Sequence, residues 1–123
     1  MHSDNNILED SIIVFHNSRC SKSRCAIEFL NEKGVDYSVV DYLKNIPTYK
    51  VLEEIIVKLG IKPEALIRKG EEDFKLNFKG KILSDSKWIE AMIKFPKLIE
   101  RPIVIKGNKA VIGRLTERIM EIL

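Results

Sequence analysis

The chain has 123 residues, of which 45% are hydrophobic and 32% charged, a balance that fits one globular domain and excludes most multidomain enzymes. Its net charge of +3, from 21 basic against 18 acidic residues, is too small and too scattered to mark a nucleic-acid binder. No apolar run approaches the roughly 20 residues that span a bilayer, and MHSDNNILED lacks the features of a secretory leader, so a cytoplasmic, monomeric protein without membrane contact is expected.

Residues 1–10 are a polar lead-in expected to fray. Ser11-Ile12-Ile13-Val14-Phe15 is a short apolar run rich in β-branched residues and reads as a buried strand. A polar loop, His16 to Ser21, leads to a helical pattern from about Lys22, with Ala26, Phe29 and Leu30 inward and Gly34 as the stop. Tyr37 to Asp41 is a second strand. Strand, helix and strand within about thirty residues make a βαβ unit with parallel strands.

Pro47-Thr48 then starts a helix with Leu52, Ile55, Ile56 and Leu59 on one face and Gly60 as the stop. Pro63 to Ile67 suggests a short helix, residues 70–83 are weakly patterned, and Ser84 caps a helix to about Lys94 with Trp88, Met92 and Phe95 inward. Pro102 to Ile105 and Lys109 to Ile112 read as strands joined by a Gly107-Asn108 turn. A last helix is expected from about Thr116 to Leu123, with Ile119, Ile122 and Leu123 apolar. The order β-α-β, helical insertion (47–98), β-β-α predicts one α/β domain over 1–123 with a thioredoxin-like mixed sheet.

Two cysteines, Cys20 and Cys25, give neither a disulfide scaffold nor a zinc spacing, and His2 and His16 fit no finger, so no metal is expected. Cys20 stands where the first strand hands over to the first helix. Unpaired amides and the helix dipole there favour a thiolate, and Arg19, Lys22 and Arg24 add positive charge. The same amides suit a tetrahedral oxyanion.

The segment His16-Asn17-Ser18-Arg19-Cys20-Ser21-Lys22-Ser23-Arg24 resembles the H-N-x-x-C-x-x-S-R motif of the glutaredoxin-coupled arsenate reductase family. Tyr42-Leu43 with Ile46-Pro47-Thr48, Leu66-Ile67-Arg68-Lys69, Pro96 to Ile105 and Ile112-Gly113-Arg114 resemble further family segments in the same order. The resemblance implies a nucleophilic Cys20, a His16 that keeps the sulfur ionised, and Arg68, Arg101 and Arg114 gripping the oxyanion. Guanidinium forks suit that task because they bind tetrahedral anions bidentately and stay charged. It also implies a cis bond at Pro102 and no bound cofactor. Glutathione and glutaredoxin are the implied external reductants, in a role of arsenic detoxification.

Ser18, Arg19 and Leu115 depart from the family pattern, as does Cys25. Residues five apart in a regular helix have Cα atoms roughly 8.6 Å apart, beyond the limit of about 7 Å for a disulfide. Cys25 is therefore expected to be a half-buried packing residue beside Ala26, with a resolving thiol as the alternative. Two other functions share this fold and cysteine: a redox-sensing, partner-binding regulator, and a thiol oxidoreductase acting on another oxyanion or a mixed disulfide.

Overall fold

A computed structural model describes residues 11–17, 20–114 and 116–123. The lead-in at 1–10 and the family departures Ser18, Arg19 and Leu115 lie outside the described residues. β1 (Ile12–His16) pairs in parallel with β2 (Ser38–Asp41) and antiparallel with β3 (Ile103–Lys106), which pairs with β4 (Lys109–Ile112). The sheet order is β2-β1-β3-β4, a mixed sheet of the expected class. The central strands carry the apolar runs and β2 sits at an edge, which explains why its first residues are exposed.

The chain divides into two compact units. The first holds the described residues up to Tyr42 and again from Arg101 to Leu123, and so contains the whole sheet. Between β1 and β2 runs α1 (Ser21–Lys33), which ends where Gly34 takes a left-handed conformation (φ 69°) and bonds back to Asn31. Its Ala26 and Leu30 join Ile12, Val14, Val104, Val111, Ile119 and Ile122 in one apolar cluster. Each Val, Leu or Ile side chain buried there contributes about 1.5–3 kcal/mol. The expected last helix is a 3₁₀ helix at Thr116–Glu121 instead. Three residues per turn stack Ile119 and Ile122 on one side, and both are buried. Gly113 admits this close packing: a Cβ there would stand 3.2 Å from Ile119.

The second unit, Leu43–Glu100, is helical. α2 (Tyr49–Leu59) and α4 (Asp85–Lys94) start as expected, with the hydroxyls of Thr48 and Ser84 accepting from Val51 and Lys87 amides. Such caps contribute about 1 kcal/mol each. α3 (Glu72–Asn77) lies within the weakly patterned stretch, and Pro63–Leu66 forms a 3₁₀ helix. Phe74 and Phe78 pack on Trp88. A short antiparallel bridge, Ile67 with Ile99, is closed by Arg68 N–H to Leu98 C=O (2.7 Å) and Glu100 N–H to Leu66 C=O (2.8 Å). Among the described residues no helix is long and apolar enough to cross a membrane.

Candidate active site

Cys20 is the residue at which α1 begins. It keeps an extended backbone (φ −97°, ψ 121°) while its carbonyl already accepts the first helical bond, from Arg24 (3.2 Å). Its own N–H donates to the Asn17 carbonyl at 2.9 Å. The Asn17 N–H in turn donates to the Ser23 hydroxyl at 3.3 Å, and both Asn17 and Ser23 are buried. The loop is thus tied to the first turn of the helix it precedes.

Pairing of β1 with β3 sets Phe15 opposite Ile103. The end of β1 therefore lies beside the turn that enters β3, where Arg101-Pro102 is a cis bond as the resemblance implied. Arg101 reaches the Cys20 sulfur. Burial pushes the Cys20 thiol up, but hydrogen bonds from the Ser23 amide, the Arg101 guanidinium and the Lys22 amide, with the charge of Arg101, bring it down to about 7. About half of the sulfur is then thiolate at neutral pH. Arg101 is itself partly penalised by burial, and its bonds to Cys20 and Tyr42 raise its pKa above the usual value. Arg114 reaches the same turn, with Nη1 3.5 Å from the Arg101 carbonyl oxygen.

His16 faces Asp41 across the parallel pair. Burial lowers its pKa, Asp41 partly restores it, and Arg24 lowers it again, leaving it below the usual value. That shift favours the uncharged imidazole. The first unit thus brings together Cys20, Arg101 and Arg114. Arg68 belongs to the second unit, where it pairs with Glu71 (2.8 Å) and Glu100 (3.6 Å).

Cys25 is exposed, not the half-buried packing residue expected. The inward face of α1 is Ser23, Ala26 and Leu30, and at about 100° per residue Cys25 falls outside that stripe. Two residues acquire parts that their sequence positions did not advertise. Ser23 supplies both an amide to the sulfur and a hydroxyl to the loop, and Tyr42 bonds Arg101. Ser23 stood in the motif without a role, and Tyr42 in a quoted segment. Among the described residues no group of three or more His, Cys, Asp or Glu is placed to hold a metal ion.

A cysteine at the N-cap position of the first helix of a thioredoxin-like sheet, with an arginine on its sulfur, defines a thiol protein of that fold. Residues 15–122 match the ArsC family, and the chain belongs to it. An uncharacterized protein of Escherichia coli K12, YfgD, is 40% identical over 111 residues, 89% of this chain and 93% of its own length. The arsenate reductase of Haemophilus influenzae is 40% identical over 115 residues, 92% of this chain and 99% of its own. The structure of the arsenate reductase from Vibrio cholerae matches with a TM-score of 0.87 and 39% identity, covering 93% of this chain and 98% of that one.

Proposed function

We propose that the protein is an arsenate reductase that works through a covalent adduct on Cys20. The observation that carries this reading is the placement of Cys20 at the start of α1, with the Arg101 guanidinium at its sulfur, a setting that favours a thiolate and suits a tetrahedral anion. The arsenate reductases related to this chain supply the oxyanion. Arg101, Arg114 and the amides at the start of α1 are proposed to hold it; Arg68 is a candidate from the family resemblance alone, and within its own unit it pairs with Glu71 and Glu100.

In the first step the Cys20 thiolate forms an S–As bond, and one arsenate oxygen takes up two protons and leaves as water. Arsenic remains As(V). A glutathione thiolate then forms an S–S bond with Cys20 as the S–As bond breaks. The electron pair of that bond stays on arsenic, which leaves as arsenite, As(III). Glutaredoxin removes glutathione from the mixed disulfide and returns Cys20 to the thiol. The downward shift of His16 argues against its serving as a fixed positive charge beside the sulfur. No bound cofactor enters the cycle. A cytoplasmic glutathione pool is the setting that supplies the reductant, and a monomer suffices.

The test is arsenite production by purified protein supplied with arsenate, glutathione and glutaredoxin. Turnover that needs all three and disappears in Cys20→Ser supports the reading. Arsenite formation that is equal with and without the protein overturns it. Cys25 is exposed and stays a candidate resolving thiol; turnover with glutathione and glutaredoxin that survives in Cys25→Ser assigns resolution to the external thiol.

A further inference from the structure

We infer that Tyr42 is a positioning residue for the thiol site: its hydroxyl fixes the Arg101 guanidinium in the orientation that serves the Cys20 sulfur. This rests on the reading of Cys20 as nucleophile and Arg101 as its cationic partner. Tyr42 directly follows β2, and its side chain is fully buried. The ring stacks on Phe15, with centroids 6.4 Å apart and planes 16° from parallel. Phe15 is paired with Val40 on one side and Ile103 on the other. The phenol is thereby anchored at the end of β1, the end from which the chain leads on to Cys20.

A phenylalanine would provide that stacking equally well. The hydroxyl adds a polar atom to a dry position, and such an atom is tolerated only with a partner. Its partner is the guanidinium of Arg101, which donates to the phenol oxygen and to the Cys20 sulfur. A guanidinium is planar with its donors in a fixed fork. Holding one N–H on the phenol therefore limits the rotation of the rest, and the donor facing the sulfur is presented without a search among rotamers. Tyr42 touches neither the sulfur nor the substrate in this scheme; it acts through Arg101.

The experiment compares four proteins in a Cys25→Ser background, so that Cys20 is the only thiol: the parent, Tyr42→Phe, Arg101→Ala and the double variant. The thiolate is titrated by its ultraviolet absorbance below pH 9, and KM and kcat for arsenate are measured at one pH. Tyr42→Phe is expected to raise the Cys20 midpoint by part of the shift seen in Arg101→Ala and to raise KM several-fold. The double variant should titrate like Arg101→Ala alone, because the hydroxyl has nothing left to position. A Tyr42→Phe protein that titrates like its parent while Arg101→Ala shifts would overturn the inference and leave the thiol site standing. Additive shifts in the double variant would also overturn it. A parent whose Cys20 titrates like a free thiol, unmoved by Arg101→Ala, would instead bring down the underlying reading of the site.

Discussion

Arg101 donates to the sulfur of Cys20 across the antiparallel pairing of β1 and β3. The contact joins the start of one strand to the loop after another, so it exists only when the sheet is assembled. Removing the guanidinium withdraws a charge-assisted hydrogen bond, which contributes about 1.5–3 kcal/mol. Arg101→Ala is therefore expected to raise the Cys20 midpoint from about 7 by roughly one to two pH units. The dependence of the alkylation rate on pH measures it, and an unmoved midpoint would contradict the contact.

Arg68→Ala and Arg114→Ala are expected to act on the anion rather than on the sulfur. If the resemblance assigns both arginines to the anion as proposed, each substitution removes a charge-assisted contact and KM should rise roughly tenfold to a hundredfold. The Cys20 titration should stay in place. Steady-state kinetics paired with thiol titration separates the two effects. Normal KM in both variants would place the anion site elsewhere.

His16→Gln should leave the Cys20 titration near that of the parent. Burial and Arg24 hold His16 below its ordinary pKa, against the opposing pull of Asp41. The downward shift makes the imidazole a weak source of charge for the thiolate. Peptide-resolved alkylation between pH 5 and 9 tests this. A Cys20 midpoint raised by a unit or more would show that the histidine is charged after all.

Ser23→Ala keeps the backbone amide that serves the sulfur but strips the hydroxyl that receives the Asn17 N–H. A buried donor left without its partner costs about 1–3 kcal/mol. The variant should show that loss in denaturant unfolding while its thiol still titrates low. Full stability would mean that the loop finds another acceptor.

Much of the fold was legible because its boundaries are chemically marked. Gly34, Gly60, Thr48 and Ser84 stop or cap helices by local rules, and the structure puts them there. The placement of β1 between β2 and β3 was not legible, since strand order depends on pairings between distant residues. The short α3 escaped because its six residues are too few to establish a helical period. The last helix kept its apolar face but tightened to 3₁₀, a difference of hydrogen bonding that the pattern of Ile119 and Ile122 does not record.

Within the site, Cys20 and Arg101 were readable from their motifs. The downward pull on His16 was not, because burial, opposed by Asp41 and helped by Arg24, sets it. Cys25 was misjudged because Ala26 beside it is buried, although adjacent helical residues point about 100° apart. The link from Tyr42 to Arg101 is tertiary and leaves no mark in local sequence.

The central claim is an activated thiolate that shares its place with an oxyanion. Its most direct test is the iodoacetamide modification rate of each cysteine against pH, with and without sulfate as an arsenate mimic. Cys20 is expected to react with a midpoint near pH 7, roughly a tenth as fast at pH 6 as at high pH, and to be protected by sulfate. The exposed Cys25 is the internal control, and sulfate should not change its rate. A Cys20 that titrates like a free thiol and ignores sulfate would contradict both halves of the claim.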